Sequence, residues 1–212
     1  MALNSGLVRV PGVGEVSIAP PGTPEPPDAT SPLPRPWVGL GLSDEDGVTI
    51  EREVDKEPTK HWQQLAPARY ILQSHELRVT SNFQETKAAV LSTYFGGMTF
   101  RPHANGQWRG EISAIPSGDV RALCVDWSDR ISAIEVYHHR LYIARTDVSE
   151  NEEAQLSRTQ EAKWGITFAA LADQNGSNTL VAWLTDDPAF SPEYGETPDA
   201  MPPGMAPAVA RP

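Results

Sequence analysis

Within residues 70–97 the hydrophobic period changes once, from two to 3.6, with no loop between the two regimes. Leu77, Val79 and Phe83 alternate with Arg78, Thr80 and Asn82, the pattern of a strand with one face buried and one in water. Ala88, Leu91 and Phe95, with Val90 and Tyr94 beside them, then fall on one helical face. Asn82 and Glu85 stand at capping-box spacing, which predicts a helix start there. Gly96-Gly97 predicts the stop, since glycine takes a left-handed backbone without a Cβ clash. A strand that turns into a helix with no linker brings two apolar faces together, and they must share one core.

The remainder reads as β. Residues 37–42 suggest a short strand, 43–47 an acidic turn, and 48–54 a strand with Val48, Ile50, Arg52 and Val54 against Thr49, Glu51 and Glu53. The charged stretch 55–67 carries two prolines and reads as a long loop. Met98–Phe100 and Trp108–Ile112 flank an Asn-Gly hairpin signal at 105–106. Strands follow at 120–127, at 131–145 with a phase slip near 137–140, at 152–158, at 164–171 and at 180–184, with an Asn-Gly turn at 175–176. The expectation is a mainly β protein: a β-sandwich or open barrel with one flanking α-helix.

Proline marks the boundaries. Of 20 prolines, nine lie between Pro11 and Pro36 and seven between Pro188 and Pro212. The sequence therefore divides into a proline-rich N-terminal arm (1–36), a folded domain (37–187) and a proline-rich acidic C-terminal arm (188–212), with both arms extended and dispensable for the fold.

The chemistry of an enzyme is missing. No G-x-S-x-G, P-loop or dinucleotide glycine pattern occurs. His138-His139 sits near Asp126 and Asp129, but neighbours on a strand point to opposite faces, so the pair reads as exposed turn residues and not as a metal site. Cys124, the only cysteine, reads as a small buried hydrophobe, which leaves no disulfide framework. The expectation is no catalytic residue, no metal and no cofactor. With no signal peptide and no 18-residue apolar run, the chain is expected to be soluble, made in a cytoplasm and without membrane binding. Its formal net charge of −11 disfavours non-specific adhesion to nucleic acid.

Four pieces, in order, resemble the major tail tube protein of long non-contractile-tailed (siphovirus-type) bacteriophages. They are Asp44-Glu-Asp-Gly-Val-Thr-Ile50, the stretch Trp62-Gln-Gln-Leu-Ala-Pro-Ala-Arg69, the strand-into-helix ending Tyr94-Phe-Gly-Gly97, and Arg140-Leu-Tyr-Ile-Ala-Arg145 through Ala154–Arg158 to Trp164–Leu171. The resemblance implies a structural virion protein of the tail, put together in the bacterial host cytoplasm. Six copies would close into rings, and the rings would stack into a β-lined tube through which double-stranded DNA passes without specific binding. The partners implied are further copies of the chain, a tape measure protein, and tail terminator and distal tail proteins. On this reading 55–67 is an inter-subunit or inter-ring loop, with Asp55, Lys56, Glu57, Lys60, His61 and Trp62 as contact candidates. The polar face of the long strand, Glu76, Arg78, Thr80 and Asn82 with Glu51 and Glu53, is the candidate lumen wall.

Two other readings stay open at this point. A distal tail, baseplate or head–tail connector protein can share the fold. A monomeric β-sandwich module binding carbohydrate through some of its six tryptophans is the other, although Trp127, Trp164 and Trp183 fall in strand patterns as core.

Overall fold

The computed structural model describes residues 7–61, 64–115, 118–132, 134–174 and 178–191. The elements in chain order are β1 (Gly14–Ala19), β2 (Val38–Gly39), β3 (Ser43–His61), β4 (Gln64–Phe83), α1 (Ala88–Tyr94), β5 (Thr99–Pro102), β6 (Trp108–Glu111), β7 (Arg121–Arg130), β8 (Val136–Asn151), β9 (Trp164–Ala170) and β10 (Ala182–Thr185). The main sheet is antiparallel, in the order β2-β1-β7-β8-β9-β4-β3, and β10 joins β8 on the edge that β9 also uses. β2 and β3 close opposite ends of that order, yet only residues 40–42 separate them in the chain. The sheet must therefore curl until its edges approach. The result is an open barrel, mainly β, with one α-helix against its mouth.

The curl encloses the core. Leu40, Phe83, Val90, Leu123, Ile143, Ile166 and Phe168 are fully buried, drawn from both ends of the sheet and from the helix. Trp164 lies under the helix, its ring edge-on to Tyr94 at 5.1 Å between centroids. Gly96 and Gly97 take positive φ (64° and 92°) and end α1 as their sequence implies. The start differs. Asn82 is still strand, α1 begins at Ala88 after Lys87, and no side chain caps it. Glu85 instead accepts from the Leu42 N–H and from Lys87, tying the edge of the sheet to the approach of the helix. The inward face of the helix is Val90 and Thr93, and Ala88 is exposed.

Three further expectations change. The expected arm 1–36 contains β1, which pairs with β7 from Gly14↔Trp127 to Ala19↔Ala122 and buries Val16 and Ile18 in the core. The expected loop 55–67 belongs to one long β3–β4 hairpin: Lys56 pairs with Leu72, Thr59 with Arg69 and His61 with Gln64. Pro58 is tolerated because β3 is an edge strand, where a missing N–H breaks no ladder bond on the open side. Residues 152–158 are not strand; β8 runs unbroken from Val136 to Asn151 and takes its phase shift where Leu123 pairs with Ile143 but Arg121 with Thr146. That bulge lets Ile143 and Val148 both face the core. The Asn175-Gly176 turn and most of the C-terminal arm lie outside the described residues.

Gly165 leaves no room for a side chain where β9 passes the end of β8. A Cβ there would lie 2.6 Å from Asn82 Oδ1 and 2.7 Å from Glu152 Cβ. The amide could rotate aside, but the Glu152 Cβ is fixed to its backbone. Gly165→Ala is expected to destabilise by about 1–3 kcal/mol, the usual cost of overpacking, read as a lower urea midpoint at unchanged slope.

Candidate functional site

The hairpin register places the sequence-selected residues together. Thr49 faces Thr80, Glu51 faces Arg78 and Glu53 faces Glu76, so all six project from one side. β9 and the end of β8 continue the same rungs: Arg78 pairs with Ala169, which pairs with Asp147, and Thr80 pairs with Thr167, which pairs with Glu150. The opposite side of these strands carries Val79, Phe168 and Val148, which pack in the core. Strand periodicity alone fixes this division, because a buried apolar face obliges the other face to meet water.

The chemistry of the face is acidic and hydroxylic. Glu51, Glu53, Glu76, Asp147 and Glu150 share it with the guanidinium of Arg78. Arg78 donates to Glu76 at 2.8 Å, and this bond, with the fields of Glu76, Glu150 and Glu53, holds the guanidinium pKa above its ordinary value. The Thr80 and Thr167 hydroxyls bond at 3.0 Å. Asn82 stands at the rim opposite Gly165, with its Oδ1 buried and unpartnered among the described residues. Asp147 and Glu150 escaped sequence reasoning because the β8 bulges break the alternation that would have exposed them; Thr167 stands opposite Trp164, Ile166 and Phe168 in the clean alternation of β9, a signal that could have found it.

The outer face of β7 and β8 is covered. Residues 20–37 cross β7 and β8, held by Arg140, whose side chain is only 4% exposed. Its guanidinium grips both Asp126 oxygens (2.7 and 3.0 Å) and donates to the carbonyls of Asp28 (2.6 Å) and Ser31 (3.0 Å). Tyr142 donates to the Thr23 carbonyl at 2.6 Å, and Trp37 packs edge-on to the Tyr142 ring. Asp28 accepts from the backbone and hydroxyl of Ser31 and Thr30, which pull its carboxyl well below the usual range. The proline-rich segment is thus a strap, and the bare part of the outer sheet is the acidic face.

The terminal segments meet as well. Arg9 binds both oxygens of Asp187, at 2.6 and 2.9 Å, a span of 178 residues. That hydrogen bonding holds the buried Asp187 carboxyl below the usual carboxylate range. The clasp therefore adds stability at neutral pH that is lost only as pH falls through the lowered value.

The hairpin is the second surface. β9 pairs with β4 only from Arg78 to Phe83, so residues 64–77 pair with β3 alone. Residues 64–76, thirteen of strand, extend the ribbon about 43 Å beyond the barrel, Leu77 being already core. Asp55, Lys56, Glu57 and Lys60 lie on it and are exposed; His61 is its last β3 residue, and Trp62 lies outside the described residues. Sequence reasoning missed Tyr70, Ile71 and Leu72, which are 63%, 44% and 58% exposed on β4.

The histidines differ from expectation: both lie on β8, and His139 is buried, stacked on Trp127, with its pKa lowered by burial. His138 binds Asp186 at 3.0 Å. Trp183 is 47% exposed and not core, whereas Trp164 is buried. Burial pushes the Cys124 thiol up, as suits an inert core residue. Among the described residues no three His, Cys, Asp or Glu side chains gather as metal ligands, and no helix is long and apolar enough to cross a membrane.

The described residues thus combine a curled sheet, an acidic face and an unsupported ribbon. The sequence matches the family described as phage tail tube protein over residues 1–195. The chain belongs to the phage tail tube protein family. No curated protein matches it. As a tail tube protein it is a structural component of the virion tail that self-assembles there, and the match includes the N-terminal segment that the fold makes part of the barrel.

Proposed function

We propose that this chain forms hexameric rings that stack into the tube of a long non-contractile tail, the conduit through which double-stranded DNA leaves the virion. The observation that carries the reading is the bare acidic face, left open on β3, β4, β9 and the end of β8 while the strap covers β7 and β8. A wall of carboxylates and hydroxyls repels phosphate and offers it no lasting contact, so DNA slides. Glu51, Glu53, Glu76, Arg78, Thr80 and Asn82 line the channel in this arrangement. Screening over roughly 8 Å confines the effect to charges at the wall.

Two further features support polymerisation. β2 and β3 are free sheet edges at opposite ends of the strand order, and pairing edge to edge in a closed ring removes both. The free ribbon, with Asp55, Lys56, Glu57, Lys60 and His61 in β3, is the inter-subunit or inter-ring contact, since a two-stranded hairpin alone is marginally stable in water, and Trp62 next in sequence belongs to the same contact set. Assembly takes place in the host cytoplasm, with a tape measure protein inside the tube and terminator and distal tail proteins at its ends.

Deleting residues 57–60 shortens β3 opposite Arg69–Ile71. The variant is expected to remain a folded monomer with a cooperative melt and to give no tubes by electron microscopy. Normal tubes from this deletion would remove the hairpin from the assembly.

A further inference from the structure

The exposed apolar residues of the ribbon have a counterpart elsewhere on the chain. A groove of about 610 Å³ runs between α1, β2 and β5, lined by Val38, Ala88, Ala89, Met98, Phe100 and Val120 and walled by prolines of the strap. Its rim bears the Asp119–Arg121 ion pair at 2.7 Å, which is neutral as a unit and does not repel an apolar guest. The knob is Tyr70 with Leu72, two residues apart on β4 and therefore on one face of the ribbon.

Within one chain the two cannot meet. Leu72 lies eleven residues before Phe83, about 36 Å of extended strand, and only residues 84–87 separate Phe83 from the helix that walls the groove. A knob and a hole at separate places on the same molecule make a heterologous contact, which propagates from copy to copy. The size is adequate. A ribbon about 43 Å long and two strands wide, at about 4.8 Å per strand, covers at most roughly 410 Å² on each partner. That total approaches the ~1,000 Å² of a specific interface, before ring contacts add to it.

We propose that the Tyr70/Leu72 face of one subunit's hairpin seats in the α1 groove of a second copy. The inference rests on the tail tube reading and names the acceptor that reading lacks. The occupant is the hairpin of another copy of this chain, not a different protein.

The test places the photo-crosslinking amino acid benzoylphenylalanine at position 72 of the full chain, irradiates assembled and unassembled protein, and maps the adducts by mass spectrometry. Adducts to α1, β2 or β5 of a second copy, present in assemblies and absent from dilute monomer, are the expected result. Leu72→Glu and Ala88→Glu, both surface substitutions, are each expected to keep the wild-type melt and lose at least tenfold in tube yield. Tubes whose adducts map elsewhere overturn this contact and leave the tube reading standing. A wild-type chain that stays monomeric at every concentration overturns both.

Discussion

Arg140→Met is expected to cost about 3–5 kcal/mol of stability, the usual loss when a buried ion pair is left with one partner. Arg140 joins the strap to the sheet through charged hydrogen bonds. Removing it leaves Asp126 facing the strap without its cation and strands the carbonyls of Asp28 and Ser31. The Arg140 side chain is almost wholly buried while that of Asp126 is 27% exposed, so water can reach part of the orphaned carboxylate and the lower half of the range applies. For a chain of this size a loss of about 3–4 kcal/mol lowers Tm by roughly 6–16 °C. Protease access separates this cause from general loosening: cleavage within residues 20–37 should rise before any cleavage of β7 or β8. A loss below about 1 kcal/mol with the strap still protected would show that the ion pair does not hold it.

The second large effect is functional. Changing Glu51, Glu53 and Glu76 together to lysine moves each chain by six charge units, all on one sheet face. Each site is exposed, so the cost to folding is a few tenths of a kcal/mol from like charges placed opposite one another and beside Arg78. Tubes are therefore expected to form. DNA ejection through them should slow by on the order of tenfold at low salt and recover as salt rises, because a basic wall gathers phosphates and salt competes for them. Virions that assemble and eject at the wild-type rate at every salt concentration would place this face away from the channel.

The parts of this fold that could be read in the sequence are those where one physical signal acts alone. Leu77, Val79 and Phe83 alternate because one side of β4 is buried, and the same alternation put Arg78 and Thr80 on the acidic face. Gly96-Gly97 marked the helix end because the backbone there needs positive φ. Other parts were hidden by a competing signal. Val16 and Ile18 alternate as a strand should, but the surrounding prolines gave the whole segment the composition of a linker. Pro58 and Pro67 argued for a loop at a place where both strands of the ribbon have an open edge that accepts proline. The strap was illegible for another reason. It depends on Arg140 meeting backbone carbonyls more than a hundred residues away, a contact that no local pattern announces.

Cryo-electron microscopy of the purified, concentrated chain tests the central claim most directly. The expected image is a hollow tube of stacked sixfold rings, with the β3–β4–β9 face toward the lumen and each hairpin reaching into an adjacent copy. Unassembled monomers, closed single rings that never stack, or a tube that carries Glu51, Glu53 and Glu76 on its outer surface would contradict it.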